Sequence, residues 1–245
     1  MKHLPAKMIA ALLLSAFAGY ALPSNAQSAI NEAAKAGQFL FITFHEAKDA
    51  SFTKMASAIQ TFKKSSKKKV AVFNAKVSDP ANQDVVGKYG IPTGEELPVV
   101  LVFAPNGVVT GGFPKTVTSD QLKQSVNVSE LMLKILKPLQ EQKVVLVALQ
   151  NQSTLSNTES WSGVNDFAND AMYSKAVAAL KADPAAAENQ EFMKQCGLIS
   201  PLTQATVVVL MPPGRIGKVL TGKVTKKDML AAIQSCAGGS CCPKK

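Results

Sequence analysis

The chain has 245 residues, with 27 Lys and Arg against 17 Asp and Glu and a formal charge of +10. That balance invites a nucleic-acid reading, but Arg215 is the only arginine, and base-edge and bidentate phosphate contacts depend on arginine far more than on lysine. Nucleic acid is therefore not the expected partner, and an apolar share of 47% fits an ordinary globular protein.

Met1 to Lys7 is basic, Met8 to Leu22 is apolar, and Ser24-Asn25-Ala26 supplies small residues before a cut. This pattern predicts a secretory signal peptide over residues 1–26, cleaved after Ala26. The apolar run falls short of the roughly 20 residues a helical span needs. No cysteine stands near the cut to take a lipid. The mature form is expected to be exported, periplasmic or extracellular, and without a membrane span.

Ser28 to Gln38 reads as a helix, and Phe39 to Phe44 as an apolar, aromatic strand. Asp49 or Ser51 can cap the next helix, whose Phe52, Met55, Ile59 and Phe62 recur at one-face spacing. Lys63, Lys64, Lys67, Lys68 and Lys69 follow at its end, where cations complement the helix dipole and form a solvated face. Val70 to Val77 is strand-like, Asp79-Pro80 a turn, and Asn82 to Tyr89 a short helix stopped by Gly90. Leu97-Pro98 then opens the apolar strand Val99 to Phe103, a place where proline removes no ladder bond. Asn106-Gly107 is a hairpin turn into a strand through Val108 to Phe113, and Ser119 or Asp120 opens a covering helix. The order α-β-α-β-α-β-β-α implies two parallel crossovers followed by an antiparallel hairpin.

From Val128 the order begins again. Val128 to Gln142 is mostly helical, with Pro138 expected to kink or break it near Lys137. Lys143 to Leu149 is a strand, Gln150 to Glu159 a polar loop, Trp161 to Tyr173 a helix and Ala176 to Lys181 a strand. Glu188 to Gln195 is a helix stopped by Gly197, followed by the strand Thr206 to Met211, a turn at Gly214, a strand through Ile216 to Leu220, and a helix from Lys226 to Ser235. Moving the first half by 107 positions lays Asn82-Gln83 on Asn189-Gln190, Gly90 on Gly197, Pro105-x-Gly107 on Pro212-x-Gly214, and Val117-Thr118 on Val224-Thr225. Such coincidences in matching element order predict two tandem copies of one domain.

Asn82-Gln83 through Tyr89-Gly90-Ile91, the proline-led strand Leu97 to Phe103, Asn106-Gly107 and Gly112 together resemble the thioredoxin fold. The resemblance implies an α/β fold class: two tandem thioredoxin-like domains, each a central mixed sheet with flanking helices, at 28–126 and, in degenerate form, at 127–235. It also implies a cis proline at Pro98 and a groove beside it that takes extended polypeptide through backbone hydrogen bonds. Pro98, Leu97, His45 and Asp49 are the expected groove residues. Thioredoxins carry Cys-x-x-Cys where the first long strand meets its helix, because the helix N-terminus favours the attacking thiolate. Here that stretch is His45 to Thr53 in the first copy and Gln150 to Ser162 in the second, and neither holds a cysteine. The second copy also has Ala205 in the proline's place.

The four cysteines are Cys196, Cys236, Cys241 and Cys242. An even count in an exported chain suits disulfides, with three possible pairings. The tail 236–245 admits three readings: a structural disulfide, a mobile thiol-disulfide exchange arm with Lys244 and Lys245 favouring thiolate, or a soft-metal site for Cu(I) or Zn²⁺ on Cys236, Cys241 and Cys242. Cys196, matching Tyr89, is equally readable as a small buried apolar residue. His45, the only histidine after the leader, ends a core strand and reads as a packing or capping residue. No Gly-x-Ser-x-Gly, Gly-x-x-x-x-Gly-Lys or His-Glu-x-x-His motif occurs. The expectation is a non-catalytic module of the cell envelope that binds a polypeptide partner. The alternatives are thiol or metal chemistry at the tail and acid-base chemistry by His45 and Glu46.

Overall fold

The computed structural model describes residues 23–237. Residues 1–22, most of the stretch expected to be a signal peptide, and the tail from Gly238, including Cys241 and Cys242, lie outside them. In the first half the elements are α1 (Ala26–Lys35), β1 (Phe39–His45), α2 (Ala50–Ser65), β2 (Val70–Lys76), α3 (Gln83–Lys88), β3 (Val99–Phe103), β4 (Val109–Pro114) and α4 (Ser119–Val126). β1 and β3 are buried along their whole length, which is why each reads as an unbroken apolar run. Alternate β1 residues serve opposite faces: Leu40, Ile42 and Phe44 pack under α1 and α3, and Phe39 and Phe41 under α2 and α4. The α2 stripe of Phe52, Met55, Ile59 and Phe62 is buried, and Asp49 caps it through the Phe52 N–H at 2.8 Å. The cap of α4 is Thr118, in a reciprocal box with Gln121, rather than Ser119 or Asp120.

The strand order is β2-β1-β3-β4. β1 pairs parallel with β2 and antiparallel with β3, and β3 pairs antiparallel with β4. The expected second parallel crossover is therefore absent. β2 ends at Lys76, beside His45, and β3 begins at Val99, beside Phe44. The link between them, with its short helix α3, stays at that end of the sheet, so β3 enters on the far side of β1 and runs against it.

The second half contains α5 (Glu130–Gln140), β5 (Val144–Leu149), α6 (Asn157–Ala168), β6 (Val177–Ala182), α7 (Gln190–Gln195), β7 (Thr206–Met211), β8 (Arg215–Thr221) and α8 (Lys226–Ala237). Its sheet is ordered β6-β5-β7-β8 with the same senses of pairing. Two short-range bonds recur in both halves. Asn82 donates to the Lys76 carbonyl (3.0 Å) and Asn189 to that of Asp183 (2.9 Å). Gln83 donates to the Val77 carbonyl (2.6 Å) and Gln190 to that of Pro184 (2.8 Å). Two expectations are corrected here. Pro138 does not break α5; it is buried in the last turn and the helix runs on to Gln140. α6 begins at Asn157, before Trp161 and inside the expected loop, and ends at Ala168 rather than Tyr173.

The halves touch through α5. The Gln140 amide both accepts from the Val109 N–H (3.0 Å) and donates to the Val109 carbonyl (2.8 Å), as a strand residue would at the β4 edge. Asn106 adds a bond to the Leu133 carbonyl at 3.2 Å. Among the described residues, no helix is long and apolar enough to cross a membrane.

Candidate functional site

Phe44 pairs with Val99, which sets His45 opposite Pro98 at one end of the first sheet. The Leu97–Pro98 peptide bond is cis. His45 is 6% exposed, and its ring lies 4.6 Å from that of Phe52 at the start of α2. Asp49 positions Phe52 by capping α2, so its carboxylate is already engaged with the helix backbone. The four expected groove residues are thus brought to one end of the sheet. Leu97 is half-buried beside the buried Pro98, His45 is buried opposite it, and Asp49 holds the helix.

Two polar atoms beneath this end lack partners. Thr43 Oγ1 and His45 Nδ1 are buried with no hydrogen bond, and an unsatisfied buried group of this kind costs about 1–3 kcal/mol. The residues stand two apart on β1, hence on one face. Burial first, and then the Lys48 charge, hold the His45 imidazole below its ordinary range, so it is neutral at pH 7. Glu46 faces a different task. It accepts from Ser78 Oγ (2.7 Å) and from the Ser78 N–H (3.2 Å), and it pairs with Lys76 at 3.5 Å. The Ser78 hydroxyl, above all, holds its carboxyl below the usual range. Glu46 is a tie between two loops, which leaves the acid-base reading without a free carboxyl group.

Pro98 is buried and Leu97 half-buried, and most of their backbone groups are already bonded. Leu97 donates its N–H to the Gly94 carbonyl (3.2 Å), and Lys115 donates to the Pro98 carbonyl (2.7 Å). The Leu97 carbonyl accepts no bond among the described residues. Pro98 has no N–H to offer.

The second half treats the same place differently. Leu149 pairs with Thr206, so Gln150 stands opposite Ala205 as His45 stands opposite Pro98. Gln150 Oε1 is likewise buried without a partner. The link from strand to helix is two residues longer here, and it folds back on the groove. Leu155 donates its N–H to the Thr203 carbonyl (3.0 Å), and its own carbonyl accepts from the Ala205 N–H (2.8 Å). Asn151 anchors this loop through Thr154, Asn157 and Asp183. The sequence signalled this closure only through the length and polarity of the 150–159 loop. The orphaned Thr43 hydroxyl carried no sequence signal at all.

No cysteine lies at the start of α2 or α6. Cys196 caps the end of α7 and is half-buried, and burial pushes its thiol up to about 11. It packs with α5 and α7 on the sheet face opposite α8. Cys236 lies in the last turn of α8, but its side chain, like Cys241 and Cys242, lies outside the described atoms, and with it the expected thiol and metal chemistry. Among the described residues, no group of three or more potential ligands gathers to hold a metal.

No known family profile matches the chain, and no curated protein matches it. Solved structures do match. A malarial protein aligns with 14% identity and a TM-score of 0.30, over 36% of this chain and 92% of its own. Thioredoxin-2, described as a component of the malaria parasite's protein secretion machinery, aligns with 14% identity and a TM-score of 0.29, over 35% and 77%. Oxidised thioredoxin O2 from Arabidopsis thaliana aligns with 16% identity and a TM-score of 0.32, over 40% and 79%. The strand order and senses, with a cis proline leading β3, are thioredoxin-like.

Proposed function

We propose that this protein is an exported, non-catalytic module, built of two tandem thioredoxin-like copies, that holds an extended polypeptide at the groove beside Pro98. The observation that carries this reading is the contrast between the two grooves. In the second half, Leu155 occupies the backbone of Thr203 and Ala205 in the manner of a short added strand. In the first half, the equivalent loop is too short to do so, the Leu97 carbonyl is unpaired, and Pro98 has no N–H. A chain segment added from outside would donate an N–H to the free Leu97 carbonyl, as Leu155 donates to that of Thr203, while the return bond from the Ala205 N–H has no counterpart at Pro98; this is a one-sided form of β-strand addition. The lack of cysteine at either helix start supports binding without thiol exchange at this place.

The test is site-specific photocrosslinking to a reduced, carbamidomethylated, unfolded polypeptide. A photoreactive residue at Leu97 is expected to capture the probe, whereas one at Gln204 captures at least tenfold less. Equal capture at both positions, or none at Leu97, refutes the assignment. Rapid disulfide exchange in the native chain that disappears in a Cys236→Ser, Cys241→Ser, Cys242→Ser variant would favour the tail instead.

A further inference from the structure

A cleft of about 590 Å³ opens between the two halves, away from the Pro98 groove. This volume is within the range of small-molecule sites, which often lie where two folded units meet. The first half contributes Lys88, Tyr89 and Leu101, and the second Lys137, Leu139 and Pro213. Gln140 also lines the cleft, and its two hydrogen bonds to the Val109 backbone fix the walls relative to each other.

The charge in the cleft is uneven. Its carboxylate, Glu141, is taken by Lys143 at 2.8 Å, and that bond is the main reason its carboxyl stays below the usual range. Lys88 and Lys137 form no ion pair among the described residues. The last carbonyls of α5 do not occupy Lys137 as caps, because they are already bonded. Lys137 and Pro138 accept from the Glu141 N–H, Leu139 from Gln142 and Pro138 from Lys143. The Lys88 ammonium stands 5.2 Å from the centre of the Tyr89 ring, which is itself held edge-on against Phe103. Two cations without an ion pair among the described residues, both within electrostatic reach of Glu141, thus flank an apolar wall.

We propose that this cleft binds a small amphipathic organic anion, its apolar body against Leu101, Leu139 and Pro213 and its anionic head met by Lys88 and Lys137. The ligand class follows from the pairing of features. An apolar cleft alone would suit any greasy molecule, and two lysines alone would suit any anion. Both together, with the one carboxylate neutralised, select a molecule that carries both parts.

The probe is 1-anilinonaphthalene-8-sulfonate, an aromatic body with a single anionic group, titrated by its own fluorescence and by calorimetry. Binding at one dominant site is expected, with a dissociation constant on the order of tens of micromolar. The double variant Lys88→Gln, Lys137→Gln should weaken it at least tenfold. The control Lys63→Gln, Lys69→Gln removes the same charge from residues lining a different groove, between α1 and β2, and should change affinity less than twofold. All four lysines are on the surface, and an unchanged urea midpoint in each variant establishes that the fold is intact. No binding by the native protein, no loss in the first variant, or equal loss in both variants overturns the proposal.

Discussion

Gly163 offers the sharpest test of the packing, because two physical effects predict opposite signs. It lies in the middle of α6, where replacing glycine by alanine stabilises an exposed helix by about 1 kcal/mol. A methyl group at Gly163, however, would sit 2.0 Å from the Val224 carbonyl oxygen, 2.9 Å from its carbon and 3.0 Å from Thr225 Cα. All three are backbone atoms, so no rotamer change relieves the contact, and the Val224 segment must retreat by about 1 Å or more. That segment is not free to move. Val224 is buried in the core beneath α6 and α8, and Thr225 is tied to Asp228 at the start of α8 by bonds of 2.6 and 2.8 Å. Overpacking against a fixed backbone falls at the upper end of the usual range, about 3 kcal/mol, which leaves Gly163→Ala destabilised by about 2 kcal/mol. Gly87 in α3 is the matched control: it is exposed, and nothing lies within 4 Å of the added methyl. Gly87→Ala should therefore be stabilised by about 0.5–1 kcal/mol. Trp161, the only tryptophan, is two residues from Gly163 and reports unfolding of the second half by fluorescence. A loss of about 2 kcal/mol moves the urea midpoint down by about 1 M for a slope near 2 kcal/mol/M. If Gly163→Ala is as stable as the native chain, the close approach of α6 to Val224 is wrong.

Three further outcomes follow from the site and its surroundings. Because burial holds the folded His45 imidazole below its ordinary value, the unfolded chain takes up the proton first. Its contribution to stability is complete above about pH 6.5 and is lost as the pH falls below that value; His45→Phe, which keeps the contact with Phe52, should flatten the urea midpoint between pH 7.5 and 5.5. With its thiol pushed up to about 11, Cys196 should react with iodoacetamide at pH 7.5 at least tenfold more slowly than an exposed cysteine near 8.5, measured by mass spectrometry in a chain whose other cysteines are serine. Gln140→Ala removes both bonds to Val109, so proteolysis between the halves should accelerate several-fold while the urea midpoint moves by less than the equivalent of about 1 kcal/mol, since water can replace an exposed bond.

What the sequence revealed depended on how local its physical cause was. The β1 and β3 runs announced strands covered on both faces, because every residue from Phe39 to His45 and from Val99 to Phe103 had to be buried. The α2 stripe announced a helix for the same reason. The sense of β3 is not legible in its residues, since parallel or antiparallel entry depends on which end of the sheet the link from Lys76 to Val99 keeps to. Pro138 does not break α5 because a proline in a last turn forfeits only one bond there, and burial of Leu131, Ile135, Pro138 and Leu139 on one face holds the helix together. The early start of α6 was hidden by Asn157, Thr158 and Glu159, polar residues that read as loop. His45, Leu97 and Pro98 could be named from the sequence, but the Leu155 closure could not. It depends on two main-chain bonds that meet across about fifty residues and leave no mark on side-chain type.

The two sheet ends share one feature and differ in three others. Both retain a buried polar atom without a partner at the end of the central strand, His45 Nδ1 in one and Gln150 Oε1 in the other. A residue serving only the core could be apolar there at lower cost. The second half combines that feature with a filled groove: the longer loop, the Ala205 N–H and the Asn151 anchor all act together. Each is needed, because a proline at Ala205 would remove the donor and a loop two residues shorter would not reach. The first half lacks all three, with Pro98 in place, a short loop, and Glu46 tied to Ser78 rather than folded over the groove. Grafting the Asn151–Ser156 loop in place of Glu46–Asp49 together with Pro98→Ala should therefore close the first groove from within. Under the proposed function that double change abolishes capture of the unfolded polypeptide, whereas Pro98→Ala alone, which supplies a donor with nothing to meet it, leaves the groove open.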